Sequence, residues 1–150
     1  MNSDVRYMDF ALAEAKKAEA AGEVPIGAIV VSSDIVIGRG FNQPISSRDP
    51  TAHAEMIALR EAARYQQNYR LTAATMYCTV EPCMMCAGAM VHSRITRLVI
   101  GTMDPKAGSA GSIYNVLTDP RLNHRVDVIT GIREDECAAL LREFFAKRRG

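Results

Sequence analysis

Short β-branched runs alternate with helical patterns along this chain, and this alternation most constrains its fold. The runs PIGAIVV (25–31) and IVIGRGF (35–41) are separated only by SSD (32–34), so they predict an antiparallel hairpin. Three further strands are predicted over ATMYCTV (74–80), TRLVIG (96–101) and VDVIT (126–130). The pattern therefore predicts one five-stranded sheet that begins with a hairpin.

Helical spacing of apolar residues predicts what lies between the strands. Helices are predicted over residues 4–21, 53–65, 81–94 and 133–149, and loops over 42–50 and most of 102–125. Because strands and helices alternate after the hairpin, we predict an α/β fold, a three-layer α/β/α sandwich around a mixed sheet. With no linker or repeat in 150 residues, the chain is expected to be a single domain, 1–150.

The charge balance does not indicate a nucleic-acid-binding protein. Lys and Arg number 18 and Asp and Glu 17, a net charge of +1, so any RNA site must be a local patch. No apolar run is long enough to span a membrane, and MNSDVRYMDF lacks the layout of a signal peptide. We expect a cytoplasmic protein, in which disulfides are rare, so the cysteines need another explanation.

Cys83 and Cys86 are the cysteines that suggest chemistry. Cys78, in the apolar run MYCTV, and Cys137, on a helical pattern, are typical of small buried hydrophobic residues. The pair in EPCMMC lies at the start of a predicted helix, where its spacing places both sulfurs on one face and the helix N-terminus lowers thiol pKa values. Such a pair is typical of a zinc site, a redox pair or half of a four-cysteine site, and the lack of a second Cys-x-x-Cys excludes the last.

A third zinc ligand is expected among the three histidines. His53 opens a predicted helix directly after a loop, as the cysteine pair does, so two helix starts can face each other at the carboxyl edge of the sheet. His92 lies about two helical turns beyond the cysteines and is too distant, whereas spacing does not exclude His124. Three protein ligands leave one position for water, the pattern of a catalytic zinc, while a redox pair would leave His53 without a role.

Glu55, two residues after His53, is the candidate proton acceptor for that water. A glutamate in a first turn also complements the helix dipole, so the pair alone favours an ordinary helix start. Positions two apart do not share a helix face, and the catalytic interpretation requires the glutamate to reach around the first turn. The downstream Pro-Cys-x-x-Cys stretch favours that interpretation.

His53-Ala54-Glu55 and Pro82-Cys83-Met84-Met85-Cys86 together resemble the H-x-E…P-C-x-x-C signature of zinc-dependent nucleobase deaminases. The longer segments RDPTAHAEMIALR, EPCMMCAGAMVHSRI, GSAGS and NHRV are similar to bacterial tRNA-specific adenosine deaminases, a branch of the cytidine/deoxycytidylate deaminase superfamily. The resemblance runs from the first helix to the last, and it implies a cytidine deaminase-like fold.

The resemblance implies one Zn²⁺ per subunit, bound by His53, Cys83 and Cys86, with Glu55 as proton shuttle. Zinc-bound hydroxide would attack C6 of adenine, and Glu55 would pass protons to the ring nitrogen and the leaving amine, so that ammonia leaves and inosine remains. The family acts on the wobble adenosine of arginine tRNA, in a single-stranded anticodon loop that exposes the base. The implied partners are a tRNA anticodon stem-loop and a second copy in a homodimer whose two subunits shape the RNA site, with no membrane.

The resemblance also implies substrate contacts. Asn42 corresponds to a position that reads the purine edge, since an amide pairs with adenine's donor and acceptor, although asparagine is also common in turns. The backbone of Ala54, between metal ligand and base, would approach the substrate closely. Asp104 and Lys106, in MDPKAG, correspond to a loop beside the anticodon, and a solvated surface turn is the alternative.

The last predicted helix ends in an aromatic and basic cluster, and in the family this end meets the RNA. Its members are Phe144, Phe145, Lys147, Arg148 and Arg149. Basic side chains bind phosphates and aromatic rings stack on splayed bases, so substrate contacts are predicted for Phe145 and Arg149. Both phenylalanines also fit the apolar stripe of the helix, and at least one is expected in the core.

Two other functions remain open from the sequence. A deaminase of a free nucleoside or base, such as cytidine, cytosine or guanine, uses the same zinc machinery, although Asn42, CAGAMVHSRI and the basic C-terminus argue against it. A noncatalytic, zinc-stabilised RNA-binding subunit would not need Glu55 beside an open metal position. The sequence therefore favours zinc-dependent hydrolytic deamination of the wobble adenosine.

Overall fold

The computed structural model describes the backbone of residues 2–149 and the side chains of residues 3–148. Helices and strands follow in the order α1 (Asn2–Ala20), β1 (Gly27–Ser32), β2 (Ile35–Phe41), α2 (Pro44–Ser47), α3 (Ala54–Gln66), β3 (Ala74–Val80), α4 (Met84–Ser93), β4 (Arg97–Thr102), β5 (Asp127–Thr130) and α5 (Glu134–Arg149). This order matches the sequence prediction except for the short helix α2.

The five strands form one sheet in the order β2-β1-β3-β4-β5. Strand β1 pairs antiparallel with β2 and with β3, whereas β3, β4 and β5 are parallel, which confirms the predicted mixed sheet. The hairpin turns through Ser33 and Asp34, both in the left-handed conformation (φ 51° and 61°) that a two-residue hairpin turn requires. Because β3 and β4 are parallel, their carboxyl ends meet at one edge of the sheet.

Helices cover both faces of the sheet, and each face has its own core. On one face α3 and α4 pack against the strands through Ala58, Leu59, Met76, Met90, Leu98 and Ile100. On the other face α1 and α5 contribute Met8, Ala11, Leu12 and Cys137 against Ile29 and Val99. Two cores around a central sheet confirm the three-layer sandwich. Within residues 2–149, no helix has both the length and the apolar content needed to cross a membrane.

Glycines let the helices lie unusually close to the sheet. A side chain added at Gly27 would overlap the backbone of α1 at Ala11, and one added at Gly40 would overlap the backbone of α3 at Ala54. The facing residues Ala11 and Ala54 are fully buried and small, so backbone packs directly on backbone. The close packing of α3 on β2 fixes where the first turn of α3 lies.

Two local predictions were wrong. The predicted loop 42–50 contains the one-turn helix α2, which starts at Pro44 because proline suits a first helical turn. Helix α4 starts at Met84 rather than residue 81, since Cys83 keeps an extended backbone (φ −76°, ψ 178°) at the N-cap position. Pro82 therefore lies before the helix, and its carbonyl accepts a hydrogen bond from the backbone N–H of Ser109 (2.9 Å).

Candidate active site

Two helix starts meet at the carboxyl edge of β3. His53 is the N-cap residue of α3 and Cys83 the N-cap residue of α4, both with extended backbone and neither using its side chain to cap the helix. Because each residue stands just outside its helix, its side chain is free to point across the gap between them. Cys86, in the first turn of α4, is fully buried beside them.

The side chains of His53, Cys83 and Cys86 form a compact cluster. Nδ1 of His53 lies 3.5 Å from Sγ of Cys83 and 3.6 Å from Sγ of Cys86. A tetrahedral zinc with Zn–S of about 2.3 Å and Zn–N of about 2.0–2.1 Å separates its nitrogen and sulfur ligands by about 3.6 Å. The donor set and its spacing therefore fit zinc, and within the described side chains no other group of three His, Cys, Asp or Glu residues comes together in this way.

The electrostatics of the cluster favour a thiolate at Cys83. The pKa of the Cys83 thiol is lowered to about 4, chiefly because Cys86 donates a hydrogen bond to its sulfur. Burial acts to raise this pKa, and the His53 ring lowers it by stabilising the thiolate charge. A thiolate is the form in which cysteine binds a metal ion. This end of α4 is thus prepared to hold a cation.

Glu55 is the buried carboxyl group beside this cluster, with only 4% of its surface exposed. The pKa of Glu55 is raised to about 7, chiefly by burial and also by the charge of Cys83, against the lowering effects of its own backbone N–H, of His53 and of Cys86. The objection that residues two apart do not share a helix face does not apply, because His53 precedes the helix and Glu55 is in its first turn. A carboxyl group near neutrality can both take and give a proton.

The other histidines and cysteines lie elsewhere. Nε2 of His124, which sequence spacing left as a possible ligand, contacts the carbonyl oxygen of Ile95 (2.6 Å). His92 lies at the opposite end of α4, as predicted. Cys78 and Cys137 are buried free thiols in the two cores, as expected for small hydrophobic residues.

Asn42 and Ala54 lie next to the cluster. Asn42 follows β2 directly and is buried, its backbone N–H donates to the carbonyl of Ile26 (3.0 Å), and no described residue hydrogen-bonds its side-chain amide. The backbone N–H of the next residue, Gln43, donates to the carbonyl of Ala52 (3.0 Å), which joins this segment to the start of α3. Ala54 is the first residue of α3 and is fully buried against Gly40.

A cleft of about 730 Å³ opens between α5 and the loop that follows β4. Asp104 and Lys106 line one wall, and Phe145 with Arg142 and Arg148 line the other. The cleft also reaches Ile26 and Val80, which adjoin the segments that carry Asn42 and Cys83. The cleft therefore offers a mixture of cationic, aromatic and apolar surface next to the ends of β3 and β4, and no residue of the His53, Cys83 and Cys86 cluster lines it.

The structure separates the two phenylalanines of α5. Phe144 is buried, whereas Phe145 is 45% exposed and packs edge-on against it with ring centroids 5.4 Å apart. Arg148 stacks over Phe144 (4.5 Å to the centroid) and donates to the carbonyl of Gly22 (2.5 Å). Phe144 is therefore the core residue, while the predicted substrate contact Arg149 has a side chain outside the described ones.

Two buried glutamates hold loops near the site and were not predicted from the sequence. Glu23 and Glu81 are 2% and 3% exposed. Glu23 accepts hydrogen bonds from backbone N–H groups of α2, which follows Asn42. Glu81 accepts hydrogen bonds from backbone N–H groups of the loop after β4, which carries Asp104 and Lys106. For Glu81 the available signal is its place between the apolar strand residue Val80 and Pro82, since a charge there must find partners in the fold, whereas Glu23 follows Gly22 and carries no such signal.

Comparison with known proteins decides the family. Residues 1–102 match the family model for the zinc-binding region of cytidine and deoxycytidylate deaminases. Over 147 residues the chain is 50% identical to a tRNA-specific adenosine deaminase from Haemophilus influenzae, covering 97% of this chain and 85% of that protein. The chain belongs to the tRNA-specific adenosine deaminase family. This membership confirms the resemblance inferred from the sequence.

Other comparisons agree with this membership. The chain is 45% identical over 149 residues to a tRNA-specific adenosine deaminase from Bacillus subtilis, covering 99% of this chain and 92% of that one. A solved structure from studies of A-to-I editing by tRNA:A34 deaminases superposes with a TM-score of 0.87 at 41% identity, covering 91% of this chain and 99% of the other. A guanine deaminase from Nitrosomonas europaea superposes with a TM-score of 0.83 at 27% identity, covering 95% of this chain and 84% of the other.

Proposed function

We propose that this protein deaminates the wobble adenosine of an arginine tRNA anticodon to inosine, in the cytoplasm. The observation that carries the proposal is the cluster of His53, Cys83 and Cys86 at zinc-ligand spacing with the buried Glu55 facing it. An open metal position with a proton carrier beside it supports hydrolysis, since a purely structural zinc site needs neither. The tRNA-deaminase relatives direct the choice of substrate.

In this mechanism Nδ1 of His53 and the sulfurs of Cys83 and Cys86 would hold one zinc ion per subunit. Zinc bound there would supply a water molecule activated for attack at neutral pH. The overall reaction adds water at C6 of adenine, breaks the bond from C6 to the amino nitrogen, and releases ammonia. Glu55 would accept the proton of the attacking water and deliver protons to the purine ring nitrogen and then to the departing amine.

Substrate recognition is proposed to begin with Asn42 and the backbone of Ala54. Asn42 stands between β2 and the start of α3, and its side-chain amide makes no hydrogen bond with the described residues although the residue is only 7% exposed. An amide whose donor and acceptor are both free is suited to bond the donor and acceptor pattern of a purine. The side chain of Ala54 is only a methyl group, which is too small to fill the space between metal and base.

The cleft beside the cluster is proposed to hold the nucleotides that flank the target. The exposed ring of Phe145 offers a stacking surface, and Lys106 on the opposite wall is a cation for a phosphate. Asp104 lines the same wall as Lys106, and Arg149 would extend the cationic end of α5. Because the cleft is at the metal edge of the sheet, the flanking nucleotides would lie next to the flipped adenosine.

We propose a homodimer that pairs through the surface beside α4. A groove there is lined by Met84, Tyr114 and Leu122, which are 54%, 53% and 39% exposed. Exposed apolar side chains grouped in one groove indicate an interface, and a second copy is the occupant that the tRNA-deaminase resemblance implies. Since Met84 directly follows Cys83, the second subunit would stand at the rim of the active site.

The substrate experiment compares an anticodon stem-loop carrying a wobble adenosine with free adenosine, cytidine and guanine. We expect the stem-loop to be converted to inosine at least about 10³-fold more efficiently by kcat/KM, because the flanking contacts supply binding energy that a free nucleoside lacks. Equal or better turnover of guanine or cytidine would contradict the proposal and favour a free-base or nucleoside deaminase.

Zinc content gives a test of the ligand assignment. We expect one zinc per chain in the purified protein and a large loss of zinc in His53→Ala, because two thiolates alone leave the tetrahedral site incomplete. The matched control is His124→Ala, whose ring lies outside the cluster. Full zinc retention in His53→Ala, measured by mass spectrometry of the metal, would contradict the assignment.

A further inference from the structure

Glu81 lies at the junction of the metal-binding helix and the substrate loop. It follows β3 directly and precedes the Pro82-Cys83 segment that starts α4. Its backbone N–H donates to the carbonyl of Thr102 at the end of β4 (2.9 Å), and its side chain is buried. Glu81 therefore joins the end of β3, which precedes Cys83, to the end of β4, which precedes the loop with Asp104.

The carboxylate of Glu81 collects four hydrogen bonds from one loop. Oε1 accepts from the backbone N–H of Asp104 (2.9 Å) and from the hydroxyl of Ser112. Oε2 accepts from the backbone N–H groups of Ala110 (2.9 Å) and Ser112 (3.0 Å). No described residue forms an ion pair with Glu81, so its charge is balanced by these donors.

The loop is wrapped so tightly around this carboxylate that only glycine fits at one position. A Cβ added at Gly108 would overlap the carboxyl group of Glu81. The backbone N–H of Ser109 donates to the carbonyl of Pro82 (2.9 Å), which ties the same loop to the residue before Cys83. The 104–112 loop is therefore held at both the glutamate and the proline of the EPC stretch.

We propose that Glu81 is a positioning residue. Its hydrogen bonds fix the 104–112 loop, and with it Asp104 and Lys106, relative to the N-terminal end of α4. It acts through these residues and touches no reacting atom. The proposal rests on the proposed function, because Asp104 and Lys106 line the cleft assigned to the flanking nucleotides. Glu81 thereby determines how tightly the RNA is held, whereas Glu55 determines the chemical step.

Glu81→Gln tests this role with little change in shape. If the new NH₂ group takes the place of Oε2, it faces the N–H groups of Ala110 and Ser112, and if it takes the place of Oε1, it faces the N–H of Asp104. Either orientation loses at least one backbone hydrogen bond. Gly108→Ala displaces the same contact from the loop side and serves as a second variant should Glu81→Gln fold poorly.

The matched control is Glu61→Gln, an exposed glutamate on α3 whose carboxylate also accepts a backbone N–H, from Arg39 (3.0 Å). Zinc-loaded full-length proteins are compared by amide hydrogen exchange and by affinity for the anticodon stem-loop. The affinity is measured in a Glu55→Ala background, so that binding is separated from turnover. The corresponding single variants give KM and kcat.

We expect Glu81→Gln and Gly108→Ala to speed exchange of the amides of residues 104, 110 and 112 and to weaken RNA binding roughly tenfold. KM should rise by a similar factor, while zinc content and kcat stay within about twofold of the wild type. Unchanged exchange, or faster exchange with unchanged RNA affinity, would overturn the positioning role, as would a loss confined to kcat. If the wild type itself neither binds nor deaminates the stem-loop, the proposed function fails instead, and the exchange data still test the hold of Glu81 on the loop.

Discussion

Glu55 at the start of α3 and Glu81 directly after β3 are two buried glutamates near the cluster of His53, Cys83 and Cys86, and their pKa values are shifted in opposite directions. Burial raises the pKa of Glu55 to about 7. Burial also acts to raise the pKa of Glu81, but hydrogen bonds from the side chain of Ser112 and from the backbone of Asp104, Ser112 and Ala110 outweigh it and hold that pKa below its ordinary value. The deeper burial of Glu55 and the larger number of donors to Glu81 together decide which carboxylate can exchange a proton and which serves as a fixed anion.

The largest effect that tests this comparison is expected for Glu55→Gln. The amide keeps the shape of the carboxyl group but cannot carry a proton, so we expect kcat for inosine formation to fall by about 10²–10⁴-fold. Zinc content and the free energy of unfolding should not decrease, because a buried carboxyl with few donors is replaced by a neutral group. Turnover within a factor of ten of the wild type would remove Glu55 from the chemical step.

A smaller effect is expected for Ser112→Ala, which removes the one side-chain donor to Glu81. A hydrogen bond to a charged group contributes about 1.5–3 kcal/mol, and since Ser112 is exposed we expect the free energy of unfolding to fall by about 1–2 kcal/mol. The matched control is Ser109→Ala, because the buried hydroxyl of Ser109 has no hydrogen-bond partner. Urea unfolding that finds the same loss in both variants would show that the Glu81 hydrogen bond does not stabilise the loop.

The smallest effect is expected for Glu23→Gln, which tests a third buried glutamate in the same way. Although burial raises its pKa, hydrogen bonds from Ser46 and Ile45 and the charge of Arg148 hold that pKa below its ordinary value of 4.5. We expect Glu23→Gln to lower the free energy of unfolding by about 1 kcal/mol at neutral pH. The difference should be full above about pH 4.5 and should disappear as the pH falls through the lowered pKa, because both states then bind the proton. A difference that is constant from pH 7 to pH 3 would contradict this account of Glu23.

The sequence pattern was sufficient for most of the fold. Hydrophobic period distinguished strands from helices, and the short turn between 25–31 and 35–41 predicted the antiparallel pair. It was insufficient at helix ends, since Pro82 suits a first turn and only the extended backbone of Cys83 keeps it outside α4. The helix α2 was missed because one turn is too short to show a period.

The cluster of His53, Cys83 and Cys86 was predicted although its two halves lie about 30 residues apart, because each half is a short motif at a helix start. His53, Glu55 and the cysteine pair are recognisable because helix starts place them locally. The partners of Glu81 lie 23 to 31 residues downstream in a loop without periodicity, so no local pattern indicates them. Phe144 and Phe145 share one apolar stripe, and only the packing of α5 on the sheet shows which of them faces the cleft.

The N-cap positions of α3 and α4 imply a conflict between stability and activity in this protein. His53 and Cys83 occupy the positions where Ser, Asp or Asn stabilise a helix by about 0.5–2 kcal/mol, and neither side chain caps. Selection of variants for thermal stability alone would therefore enrich capping residues at 53 and 83, at the expense of the proposed metal site. Directed-evolution libraries of this enzyme should hold both codons fixed and seek stability at positions remote from the two helix starts.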